Sequence, residues 1–113
     1  MHVRDIYLAR FPFGDVPGMK LRPVLLLTGP TGPVPEVLVA YISSVIPTYS
    51  LPSDSVLRPG EPAFHGTGLK VASTLRLHKL ATIHCSSLAR WVGDLDVLTG
   101  KRVNESLTRL LRL

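Results

Sequence analysis

The sequence predicts a mainly β fold, a small and strongly bent sheet or barrel, with one C-terminal helix. Three observations predict it. Ten prolines and nine glycines cut the 113-residue chain into short pieces, and such residues punctuate strands and turns. The pieces between them are rich in β-branched and aromatic side chains. Only after Thr99-Gly100 do apolar residues recur at spacings of three and four, the period of a helix. Six or so short strands ahead of a terminal helix suit a closed or strongly bent sheet.

Along the chain, Ile6-Tyr7-Leu8-Ala9-Arg10-Phe11 is strand-like, and Pro12-Phe13-Gly14-Asp15-Val16-Pro17-Gly18 stops it in a turn-rich loop. Pro23-Val24-Leu25-Leu26-Leu27 is an unbroken apolar run, the mark of a strand buried on both faces. Thr28-Gly29-Pro30-Thr31-Gly32-Pro33 suits neither helix nor central strand. Residues 36–43 form the next strand, and residues 44–68 are loops with one short strand near residues 54–57. Residues 69–73, 80–83 and 90–95 complete the strand set. In the helix, Val103, Leu107, Leu110 and Leu111 make one apolar stripe that packs on the barrel. Asp96 or Thr99 caps its start.

The length suits a single domain, residues 1–113, with a thin core. No apolar run is long enough to span a bilayer. The N-terminal residues show no basic stretch followed by an apolar one, so no signal peptide is expected and the cytoplasm is the expected location. Cys85, the only cysteine, excludes an internal disulfide and a Cys-only zinc site, and reads as a small buried residue. Thirteen Lys and Arg against eight Asp and Glu give a formal charge of +5. The surplus is uneven: Arg58, Lys70, Arg76, Lys79 and Arg90 face Glu61 alone, with His65, His78 and His84 in the same stretch. Such a surface attracts polyanions. From charge alone, nucleic acid and an ordinary basic surface are equally supported.

Several chemistries lack their residues. There is no phosphate loop with its lysine and no dinucleotide fingerprint. No His pair has helical metal-ligand spacing, and the carboxylates are too scattered for a two-metal nuclease. No metal or other cofactor is expected. Cleavage without metal is open for RNA, whose 2′-hydroxyl can attack its own phosphate. An arginine can then neutralise the pentacoordinate transition state, because its fork bonds two phosphate oxygens. Arg22 suits this: it precedes Pro23, which favours extended geometry, where a glycine-containing loop enters the buried strand. Taken alone, a strand-end arginine in a surface ion pair explains it better. Ser43-Ser44 end the next strand, where hydroxyls can bond a phosphate, although serines also simply terminate strands.

In order along the chain, Asp5-Ile6-Tyr7, Lys20-Leu21-Arg22-Pro23-Val24-Leu25-Leu26-Leu27, Val39-Ala40-Tyr41-Ile42-Ser43-Ser44, Ala72-Ser73-Thr74-Leu75-Arg76, Leu80-Ala81-Thr82-Ile83 and Gly93-Asp94-Leu95 resemble the MazF/PemK family of toxins from type II toxin–antitoxin systems. The resemblance implies an SH3-like barrel, the fold of MazF, PemK and CcdB toxins, acting as a homodimer. It implies metal-independent, sequence-specific cleavage of single-stranded RNA, giving a 2′,3′-cyclic phosphate and a 5′-hydroxyl. It implies Arg22 and Ser43 as catalytic residues, the first on the phosphate charge and the second bonding the phosphate. Ser44, Lys70, Ser73 and Arg76 are carried over as RNA-binding positions. Ser73 stands where relatives often carry an acid, which puts acid–base work there in doubt. The loop from Phe11 to Leu21 would be a flap, with Phe13, Met19 and Lys20 contacting bases and Phe11 in the flap or the core. Trp91 reads as core or dimer interface. His78 and His84 are candidates for proton transfer by composition only. The partner implied is an antitoxin with an acidic tail, and DNA is met only through the antitoxin complex. The competing reading is a non-catalytic nucleic-acid-binding or gyrase-poisoning barrel of the same fold.

Overall fold

The computed structural model describes residues 1–10 and 20–113. Six strands, β1 (Asp5–Arg10), β2 (Leu21–Leu26), β3 (Glu36–Ser43), β4 (Asp54–Leu57), β5 (Ser73–His84) and β6 (Leu88–Asp94), precede one helix, α1 (Val97–Leu111). The strands form one antiparallel sheet in the order β4-β5-β3-β2-β1-β6. Among the described residues no helix is long and apolar enough to cross a membrane.

The sheet buries both faces, which explains its apolar runs. Side chains alternate across a strand. In β2, Val24 and Leu26 join one cluster with Ala9, Val37, Val39 and Ile83. Leu25, between them, joins the other with Ile6, Ala40, Ile42, Leu75, Leu77, Leu95 and Val103. The second cluster is the larger, and α1 packs on it through Val103 and Leu107, while Leu110 and Leu111 of the expected stripe are exposed. The predicted two-faced burial of the second strand is therefore observed.

Two expectations need correction. Residues 69–73 do not form a strand, because β5 begins only at Ser73. Instead β5 runs unbroken to His84 through Arg76, His78 and Lys79. It absorbs them in an irregularity: Tyr41 faces Arg76 while Ala40 faces Leu80, so three residues of β5 have no counterpart on β3. A bulge of this kind lets polar side chains interrupt a strand without ending it. At the helix, Asp96 and not Thr99 is the cap; its carboxylate accepts from the Thr99 N–H at 2.8 Å.

The chain packs closely where Gly93 of β6 crosses the short 3₁₀ turn at His65–Thr67. A Cβ on Gly93 would lie 2.3 Å from the Gly66 carbonyl oxygen. The buried Thr67 hydroxyl holds this turn, donating to the Phe64 carbonyl at 2.6 Å and accepting from the Leu69 N–H at 3.2 Å.

Candidate active site

Strand register places the candidate residues. Arg22 pairs with Ala9 of β1, which in turn pairs with Leu88 of β6. The β2–β3 ladder is recorded from Leu26–Val39 to Val24–Tyr41. Arg22 and Ser43 each lie two residues past its last pair, on the face that Val24 and Tyr41 share. Ser43 pairs with Thr74, and Thr74 with Val56. Arg22, Ser43 and Thr74 thus lie on one face of the sheet, opposite the helix-covered face. A row on that face reads Trp91, Tyr7, Val24, Tyr41, Arg76 and Asp54.

Arg22 is half-buried, and among the described residues no carboxylate lies within ion-pair distance of it. The surface ion pair that would explain it away is absent there. Ser43 is half-buried, and its Oγ accepts from the Val45 N–H at 3.1 Å. That bond orients the hydroxyl and leaves its own proton for another acceptor. The Thr74 hydroxyl beside it is buried and unpartnered among the described residues. Leaving such a group unpaired costs about 1–3 kcal/mol.

Arg76 lies on this face but is committed. Its Nε and one Nη donate to the two carboxylate oxygens of Asp54 at 3.2 and 3.4 Å. The Asp54 side chain is fully buried and also accepts from the Leu51 N–H at 2.9 Å. His78 Nδ1 lies 3.8 Å from the same carboxylate. Sequence reading missed Asp54, and only the β4–β5 register reveals it. Lys79 stands over the Tyr41 ring, 5.7 Å from its centroid, in cation–π range. Tyr7 completes the polar edge. Burial first, then the charges of Asp5 and Cys85, pushes its hydroxyl above the usual phenol value, so it stays neutral.

The remaining candidates are placed elsewhere. Ser73 is buried and pairs with Leu57, so it belongs to the helix-covered face, and its hydroxyl donates to the Val71 carbonyl at 2.9 Å. Lys20 and Ser44 are exposed at the ends of the Arg22 and Ser43 strands. Lys70 is exposed in the segment before β5. His84 faces Glu36 at the far end of β3, about 23 Å along the strand from Ser43 at ~3.3 Å per residue. Phe11, Phe13 and Met19 lie outside the described residues. Trp91 is not core: it is 54% exposed. A mostly apolar cleft of about 340 Å³ lies between Leu51, Pro52, His78 and Leu110 of α1, away from Arg22. Among the described residues, no group of three or more His, Cys, Asp or Glu side chains is placed to hold a metal.

Among curated proteins none matches the chain. Solved structures share its architecture. The Mycobacterium tuberculosis toxin MazF-mt6 superposes with a TM-score of 0.71 at 24% identity, over 97% of this chain and 98% of that one. An endoribonuclease in complex with its cognate antitoxin, from a mycobacterial species, gives 0.68 at 13% identity, over 100% of this chain and 96% of that one. A further mycobacterial endoribonuclease gives 0.67 at 14% identity, over 100% and 92%. At these identities the likeness is one of fold. A sequence-family match over residues 2–111 places the chain in a family, that of the PemK-like, MazF-like toxins of type II toxin–antitoxin systems.

Proposed function

We propose that this toxin cuts single-stranded RNA at specific sites without a metal ion, with Arg22 and Ser43 as its catalytic residues. The 2′-oxygen of the substrate attacks the adjacent phosphorus and the bond to the 5′-oxygen breaks. The 2′-hydroxyl loses a proton and the departing 5′-oxygen gains one. The products are a 2′,3′-cyclic phosphate and a 5′-hydroxyl. Arg22 neutralises the charge that builds on the non-bridging oxygens, and preorganised charge is usually a large catalytic term. Ser43 donates its proton to one of those oxygens and fixes the phosphate. The observation that carries the reading is the arginine without a carboxylate partner among the described residues, on the same face of neighbouring strands as a strand-end hydroxyl. The fold neighbours described as endoribonucleases support it.

Exposed Lys20, Ser44 and Lys70 supply further contacts for phosphates, and Phe13 and Met19 for bases. The whole chain, residues 1–113, works as one domain in the cytoplasm. Its natural partner is an antitoxin with an acidic tail, suited to the charge of +5 and supported by the neighbour solved with its antitoxin. Exposed Val97, Leu98, Leu110 and Leu111 on α1 offer apolar area for a homodimer. The test is incubation of the purified protein with a long RNA in EDTA, followed by mapping of 5′ ends. Cuts at recurring short sequences with 5′-hydroxyl ends support the reading. Intact RNA that is nevertheless bound supports the non-catalytic barrel instead.

A further inference from the structure

The feature of the Arg22 face that catalysis leaves unexplained is aromatic. Trp91 is the only tryptophan, yet 54% of it is exposed. Such a ring is usually well covered. The cause lies in β6, whose pairing with β1 shifts between Ile6 and Tyr7 and again between Leu8 and Ala9. The first shift sends Val92 to the helix-covered core and leaves Trp91 opposite Tyr7 on the other face. Opposed side chains there have Cβ atoms about 4.5–5.5 Å apart.

This pair adjoins the reacting centre. Ala9 faces Arg22, so Tyr7, two residues away, is a diagonal neighbour of Arg22. Tyr41 holds the matching diagonal on the other side, because it faces Val24. Diagonal neighbours lie about 7–8 Å apart, within reach of long and aromatic side chains. Arg22 therefore stands between Tyr7 with Trp91 on one side and Tyr41 with Lys79 on the other. Rings interleaved with cations are what single-stranded nucleic acid requires, bases on the rings and phosphates on the charges. Charge also limits the path. Beyond Trp91, Asp94 pairs with Asp5, and phosphates are repelled there. Asp5 is partly compensated by the His2 N–H at 2.8 Å and the N-terminal amine at 4.0 Å, but Asp94 is exposed.

We propose that Trp91 and Tyr7 form a stacking subsite for a base of the single-stranded RNA substrate, next to the phosphate held at Arg22. The subsite rests on the ribonuclease reading above. Because Trp91 is the only tryptophan, its fluorescence reports on this subsite alone. The probe is an RNA spanning a mapped cut site, with a 2′-deoxynucleotide at the scissile position so that it binds but is not cut. Titration quenches Trp91 emission with the midpoint seen by anisotropy of the labelled RNA. Trp91→Ala weakens binding about 5- to 150-fold, the range for losing one base–aromatic stack, and Trp91→Phe restores most of it. Unchanged emission with wild-type affinity in Trp91→Ala overturns the subsite and leaves the ribonuclease reading standing. Emission that shifts with protein concentration but not with RNA, together with reduced self-association in Trp91→Ala, assigns Trp91 to a contact between copies and also overturns the subsite. A protein that neither binds nor cuts RNA overturns the ribonuclease reading, and the subsite with it.

Discussion

Replacing Asp54 by alanine removes the anchor of Arg76 and separates two roles of that arginine. The Asp54 carboxylate is fully buried, and the Arg76 side chain is 19% exposed. Deleting one member of a buried ion pair costs about 3–5 kcal/mol, mostly because the other is left uncompensated. Water reaches part of Arg76 and screens its charge, which discounts the cost to about 2–4 kcal/mol with the lost Leu51 bond included. A 113-residue domain has an unfolding entropy of about 0.24 kcal/mol/K. Asp54→Ala therefore lowers the Tm by roughly 8–16 °C, measured by circular dichroism with a urea titration alongside. Asp54→Asn keeps the shape and one acceptor, and loses less. The same change frees a cation beside the Tyr41 ring. RNA binding by the folded Asn variant then tightens at low salt, and its log–log salt slope steepens by about 0.7, the value for one more phosphate on a single strand. A Tm within a degree of wild type for Asp54→Ala refutes the structural role assigned to the pair. Loss of stability with no change in salt slope refutes the claim that Asp54 withholds Arg76 from RNA.

Other perturbations test other parts of the account. Gly93→Ala drives a Cβ to 2.3 Å from the Gly66 carbonyl oxygen, a backbone clash; it should cost about 2–4 kcal/mol by urea unfolding, and a wild-type midpoint would contradict the packing. Thr74→Val replaces a buried, unpartnered hydroxyl with a methyl, so stability should hold or rise by about 1 kcal/mol; a fall in cleavage with that gain would place the hydroxyl on the phosphate. Asp96 is held below the usual carboxylate range by its hydrogen bonds from Thr99, side chain first and then backbone. Its contribution is present above the unfolded value and lost as pH falls through the folded one. Below about pH 4, then, the wild type should lose stability faster than Asp96→Asn, and parallel pH profiles would refute the cap.

How much of this was legible in the sequence depended on whether local pattern or register decides the feature. The buried strand at Val24–Leu26 declares itself by three consecutive apolar residues feeding two cores. Arg22 before it and Ser43 at the end of the next strand come to lie on the same face of neighbouring strands. What register decides was hidden. A shift of one residue sends a side chain to the opposite face, which is why Ser73 faces the helix side while its neighbour Thr74 stands beside Ser43. Asp54 and Arg76 are 22 positions apart, and nothing local links them. The β5 strand looked like two because His78 and Lys79 break its apolar pattern, while a bulge carries the backbone through. Trp91 read as core or interface from its residue type; the β6 irregularities take it out of the core.

In the proposed mechanism Arg22 supplies the charge that makes RNA cleavage possible. This role is tested by single-turnover cleavage of a mapped RNA in EDTA by Arg22→Ala and Arg22→Lys, each first shown to keep the wild-type Tm. Arg22→Ala should lose at least about 10²- to 10³-fold in rate, the cost of one preorganised transition-state donor. Lysine should restore little, since a point charge lacks the fork that bonds two phosphate oxygens. Cleavage by the folded Arg22→Ala protein at the wild-type rate would contradict that role.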